Sequence, residues 1–153
     1  MNIRHTILER LGAHIEELHS LTDGLAEEQL NKRPSEGKWS LHEIAMHLAE
    51  VQDVFVERIT RILTEDKPAI TPYRPEEARE KGQYFTQNFQ KRIREFEVQR
   101  TTLVSLLQTL TDEQWKLEGI HPDVKHYTIE KSMEGLMRHE EHHLYQMYSI
   151  FFG

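Results

Sequence analysis

The sequence predicts an all-α protein, a single four-helix-bundle domain covering residues 1–153. Three observations carry that expectation. Apolar residues recur three and four apart in four long stretches, breaker-rich linkers separate those stretches, and strand-like alternation is absent. The composition agrees: 153 residues suit one domain, and 37% hydrophobic with 29% charged residues suits helices with one apolar and one solvated face.

The first helix runs from Asn2 to Leu21 on Ile3, Ile7, Leu8, Leu11, Ile15 and Leu18. Gly24, Pro34 and Gly37 break the segment from Thr22 to Trp39, with a short helical turn expected at 26–30. Ser40 and Glu43 then have the spacing of a capping box and open the second helix, whose stripe of Leu41, Ile44, Leu48, Val51, Phe55 and Ile62 continues to about Glu65. Pro68, Pro72, Pro75 and Gly82 make residues 66–82 a long connection. The third helix is expected from Gln83 to Leu110 on Phe85, Phe89, Ile93, Phe96, Leu103 and Leu107. After a linker with Gly119 and Pro122, Thr128 caps the fourth helix, striped by Ile129, Met133, Leu136, Met147 and Ile150. A loose internal repeat runs through this order. Leu21-Thr22, Gln29 and Trp39-Ser40-Leu41 echo Leu110-Thr111, Gln114 and Tyr127-Thr128-Ile129, as two helical hairpins would.

Composition also narrows function. No apolar run approaches the ~20 residues that span a bilayer, and residues 1–12 lack the apolar core of a secretory signal, so a cytoplasmic protein without membrane association is expected. A net charge of −7 with scattered basic residues argues against a nucleic-acid partner. Cysteine is absent, which excludes disulfides, thiolate metal sites and a cysteine nucleophile. Ten histidines remain as ligands for a borderline metal.

His139 and His143 stand four apart on the inward stripe of the fourth helix, and His47 lies on the inward stripe of the second. His47 is about 10 Å from the start of its helix and His143 about 15 Å from the end of the chain, at ~1.5 Å per residue. Antiparallel packing of these two helices therefore brings the three rings to one depth. A parallel arrangement would leave His139 and His143 roughly 16 and 22 Å deep, out of reach of His47. The antiparallel choice also gives residues 66–82 a task, the crossover of an up-down-down-up bundle. A single histidine on an apolar stripe is ordinarily a hydrogen-bonded core residue. Three buried together are costly to satisfy without a metal. His42, in the capping turn, is expected to be solvated and to point away from the site.

The segments Lys38-Trp39-Ser40-Leu41-His42-Glu43-Ile44-Ala45-Met46-His47-Leu48 and His139-Glu140-Glu141-His142-His143-Leu144-Tyr145-Gln146 resemble the two signatures of the DinB/YfiT-like superfamily. That resemblance extends over nearly the whole chain. It implies an up-down-down-up bundle and one divalent ion, nickel or zinc foremost with manganese or iron as alternatives, on His47, His139 and His143. Gln146 matches a glutamine of the pattern and is expected to steady a ligand imidazole or a water. Glu50, three residues after His47, is a candidate base, against the plainer reading of a solvated helix residue. His142 lies on an adjacent strip of its helix. Glu140 with His143 and Glu16 with His19 have the spacing of di-iron bundles, but the further inward glutamates of such a centre are missing.

Three neutral histidines leave coordination positions open, as in catalytic sites. Two metal-dependent reactions are expected: hydrolysis of a small molecule, or transfer of a low-molecular-weight thiol, as in members of the resembled family. A non-catalytic metal- or ligand-binding protein is the alternative. Trp39, Tyr73, Arg74 and Tyr84 are candidate pocket residues. The apolar end of the last helix, Tyr145 to Phe152, suggests a homodimer, and the resemblance points the same way.

Overall fold

The computed structural model describes residues 1–80 and 83–152; Gly82, expected as a breaker, lies outside them. Four long helices form the bundle: α1 (Ile3–Thr22), α3 (Leu41–Thr64), α5 (Phe89–Thr109) and α7 (Ile129–Phe152). Short helices α2 (Glu27–Asn31), α4 (Pro75–Glu80) and α6 (Asp112–Trp115) occupy the linkers. Among the described residues no helix is long and apolar enough to cross a membrane.

Local chemistry explains the boundaries. Asn2 caps α1 by accepting from the His5 amide. At α3 the Ser40 hydroxyl accepts from the Glu43 amide while the Glu43 carboxylate accepts from the Ser40 amide, the reciprocal box read from the sequence. Arg33 adds two 2.8 Å bonds to that carboxylate, which pins the linker carrying Trp39 over the start of α3. Thr128 caps α7 through the Lys131 amide at 3.0 Å. The internal repeat extends to bonding. Gln29 closes back on the Ala26 amide and Gln114 on the Thr111 amide, each at 2.9 Å.

One expectation is corrected. The third long helix begins at Phe89, because the Asn88 side chain accepts from the Lys91 amide and sets the start there. Phe85 lies before it, exposed, with the Arg33 guanidinium over its ring at 5.4 Å. The linkers also hold a two-residue antiparallel ladder, β1 (Glu118–Gly119) with β2 (Tyr127–Thr128), extended by a bridge between Ala69 and Ile120. Gly119 is required there: a Cβ would stand 2.8 Å from the Ile70 side chain and 3.1 Å from the Pro68 carbonyl oxygen.

Side-chain pairs give the directions. Arg4 meets Glu130 and Arg10 meets Glu141, so α1 and α7 run parallel. His19 meets Glu97 while the Leu11 carbonyl meets Arg100, so α5 opposes α1. Arg92 meets Asp53 and Gln52 bonds to the Phe96 carbonyl, while Ile59 and Ile62 share a core with Leu103 and Leu107, so α5 runs with α3. The order is up-down-down-up, and residues 65–88 make the crossover between the two parallel members.

The core has two apolar halves. One gathers Leu18, Ile44, Leu48, Phe96, Leu144 and Met147; the other Ile7, Leu11, Ile59, Leu107, Met133 and Leu136. Beside their junction lies a buried polar cluster of His14, Gln52, Arg100 and Glu140.

Candidate metal centre

α3 and α7 run antiparallel and bring His47, His139 and His143 together. The Nε2 atom of His47 lies 3.0 Å from Nε2 of His139 and 3.1 Å from Nε2 of His143. His47 is 1% exposed, His143 is 9% exposed and His139 is half-buried. Burial, together with the charge each ring would impose on its neighbours, pulls His47 down to about 3 and His139 down to about 4. Burial also lowers His143, against a hydrogen bond to Gln146 that works the other way. All three are therefore neutral near pH 7, the form that binds metal.

The outer ring nitrogens decide which lone pairs face inward. His143 Nδ1 donates to Gln146 Oε1 at 2.8 Å, so its Nε2 is bare. His47 Nδ1 faces the phenol oxygens of Tyr84 at 3.2 Å and Tyr73 at 3.4 Å. Both phenols donate to Glu50 Oε2, from Tyr84 at 2.5 Å. Burial foremost, then donation to this carboxylate, raises both phenols above the ordinary tyrosine range. With their protons committed, the phenol oxygens accept from His47 Nδ1, and His47 Nε2 is bare as well. Two bare imidazole nitrogens at 3.1 Å repel unless a cation lies between them. The spacing is close to the ~3.3 Å separating two nitrogens that share a tetrahedral ion at ~2.0 Å each. The donor set thus fits a divalent metal ion. His139 Nδ1 is buried with no hydrogen-bond partner among the described residues.

Trp39 walls the site. Its ring stacks on His143 at 6.0 Å and 7° and meets His47 edge-on at 4.8 Å. Outside it lies a cavity of about 910 Å³ lined by Lys38, Trp39, Ile44, His143, Gln146 and Ile150 among others. The other sequence candidates fall into place around this. Tyr73 and Tyr84 back His47, whereas Arg74 is exposed and does not line the cavity. His142 is exposed and 3.2 Å from Gln146 Nε2. Glu50 stands on the Nδ1 side of His47 rather than with the three Nε2 atoms.

His42 is corrected. It is buried, not solvated, with Nε2 2.9 Å from the Tyr84 carbonyl oxygen and its ring beside Phe85 and Phe89. The di-iron spacings do not assemble. Glu140 is turned to His14 and Arg100, and Glu16 is exposed. Burial works to raise the Glu140 carboxyl, but the Arg100 charge and the bonds from His14 and Arg100 hold it below the usual range.

A helical bundle presenting three converging imidazoles beside an open cavity is a four-helix-bundle protein with a cluster that could hold a metal ion. Residues 10–147 match the model of the DinB superfamily, and the chain belongs to that superfamily. It is 28% identical over 139 residues to the Bacillus subtilis protein named "Putative metal-dependent hydrolase YfiT", covering 90% of this chain and 76% of that one. A protein of Oceanobacillus iheyensis with a name of the same kind is 25% identical over 140 residues, covering 92% and 80%. The solved structure of YfiT superposes with a TM-score of 0.86 at 25% identity, covering 96% of this chain and 85% of that one. It is described as "a probable metal-dependent hydrolase with an unusual four-helix bundle topology".

Proposed function

We propose that the protein is a metal-dependent enzyme that hydrolyses a small molecule, with one nickel- or zinc-type ion on His47, His139 and His143. The observation that carries this reading is the convergence of three imidazole Nε2 atoms, that of His47 lying 3.0 Å from that of His139 and 3.1 Å from that of His143. A divalent ion held by three neutral histidines keeps positions open, activates water near neutral pH and polarises a substrate oxygen. Gln146 fixes the His143 ring by accepting its Nδ1 proton. Trp39 excludes water from one flank of the imidazoles, and the cavity beside His143 and Gln146 receives the substrate. The names of the relatives support hydrolysis over thiol transfer.

The test is elemental analysis of tag-free protein, followed by titration of metal-free protein with nickel, zinc and manganese. The loaded protein is then assayed on ester, amide and phosphoester panels, with and without a low-molecular-weight thiol. About one ion per chain and thiol-independent turnover are expected. No metal and no uptake would overturn the site, and turnover only with the thiol would replace hydrolysis by transfer.

A further inference from the structure

Glu50 has no direct contact with the three converging nitrogens, yet it is tied to the opposite side of one of their rings. Its Oε2 accepts from Tyr73 and Tyr84, whose oxygens stand 3.4 and 3.2 Å from His47 Nδ1 and 3.3 Å from each other. The three partners come from three places: Glu50 from α3, Tyr73 from the crossover before α4, and Tyr84 from the segment before α5. We infer that Glu50, acting through the two phenols, is a positioning residue that holds His47 in the tautomer with the proton on Nδ1 and Nε2 bare.

Proton counting leads there. A phenol has one proton, and the contacts of both phenols with the carboxylate are too close to stand without one between the oxygens. Were His47 Nδ1 to accept, one phenol would have to turn its proton away from Glu50 and leave two oxygen atoms in unrelieved contact. His47 therefore donates, and the negative charge of Glu50 is relayed to the far side of the ring. A carboxylate behind a ligand imidazole fixes its orientation and raises its basicity as a donor. Here the relay has two parallel arms, so either phenol alone can sustain it. His143 uses the neutral amide of Gln146 instead, and His139 has no such partner among the described residues. The relay thus makes His47 the strongest donor of the three.

This inference rests on the proposed metal site for its consequence, but its first readout needs no metal. Long-range ¹⁵N–¹H correlation spectra of metal-free protein report directly which nitrogen of His47 is protonated. The Nδ1–H form is expected in the wild type and in each of Tyr73→Phe and Tyr84→Phe, with loss of a single form in the double Phe variant and in Glu50→Gln. Calorimetric titration with nickel should show ~10–100-fold weaker binding for the double variant, as for other lost ligand partners, and much smaller losses for the single ones. General destabilisation would not change a tautomer. Replacing phenol by phenyl is nearly isosteric, and Glu50→Gln tests the same link without touching Tyr84. His47 protonated on Nε2 in the wild type would overturn the inference, as would a double variant with wild-type tautomer and nickel affinity. Failure of the wild type to take up any metal would sink the metal reading alone, because the tautomer would still be read.

Discussion

Replacing His47 and His42 separately distinguishes a ligand from a nearby buried histidine on the same helix. His47→Ala removes one of three converging nitrogens and leaves only the pair on α7. The loss in metal affinity should exceed the ~10–100-fold typical of losing a mere outer partner. His42→Ala leaves all three in place but strips the Tyr84 carbonyl oxygen of its buried partner. Leaving such a group unsatisfied costs about 1–3 kcal/mol. For a chain of this size that corresponds to a Tm lower by roughly 2–12 °C, at about 2–4 °C per kcal/mol. Metal at a hundred times its Kd stabilises by about 2.7 kcal/mol, a rise of roughly 5–11 °C in the wild type. Thermal unfolding of each protein with and without nickel separates the two effects. His42→Ala should start lower and keep the full metal-induced rise, whereas His47→Ala should lose the rise and remain helical. Equal rises in the two variants would refute the assignment of His47 as a ligand.

Arg100→Met strands the buried Glu140 carboxylate and should cost about 3–5 kcal/mol in urea unfolding, with Glu140→Gln in the same chain restoring part of it. Metal-free stability should fall with acid. His47 and His139 are held down to about 3 and about 4 against about 6.5 unfolded, so the unfolded state takes up protons first. Their contribution is complete above pH ~6.5 and is lost towards pH 4 and 3, at up to ~1.4 kcal/mol per pH unit per histidine; His139→Gln should flatten the slope by about one proton. Tyr145, Tyr148, Phe151 and Phe152 are exposed along the end of α7, and a homodimer through them should show in sedimentation and shift to monomer in Tyr148→Glu.

The helices, their caps and the histidine triad were legible because each is a local or periodic signal. Ser40 with Glu43 and Thr128 mark helix starts by side chains that bond their own first turn. Apolar spacing alone places the three histidines on inward stripes. It misplaces the start of α5, since Phe85 and Phe89 keep a four-residue spacing whether or not the first is helical; the Asn88 cap breaks the tie. His42 read as solvated because the cover over α3 comes from Phe85 and Phe89, more than forty residues away. Tyr73 and Tyr84 were legible as pocket residues, but they sit in the crossover, where no period exists to show that they turn to His47 Nδ1 and Glu50. A two-residue ladder is too short to show alternation. Arg100 and Glu140 look like ordinary surface charges until the chain has folded around both.

That last pair bears on the site through geometry more than through energy. From α5, Arg100 bonds the Leu11 carbonyl of α1 at 2.7 Å, Gln52 of α3 at 2.6 Å, and Glu140 of α7. One guanidinium thus ties all four long helices. A buried ion pair adds little net stability over well-packed apolar groups, but its fixed directions penalise any rotation or slip of the helices it joins. Glu140 follows His139 by one residue, about 100° around α7, so seating it against Arg100 and His14 turns His139 and His143 towards α3. Gln52 lies five residues beyond His47, so the same contact sets the height of α3 against α7. A one-residue slide between those helices would move the imidazoles ~1.5 Å apart, enough to spoil a site whose donor atoms stand about 3 Å from one another. The polar cluster therefore specifies the register on which the convergence of the three imidazoles depends, at a place where Leu or Met would have held the core together without fixing how its helices align.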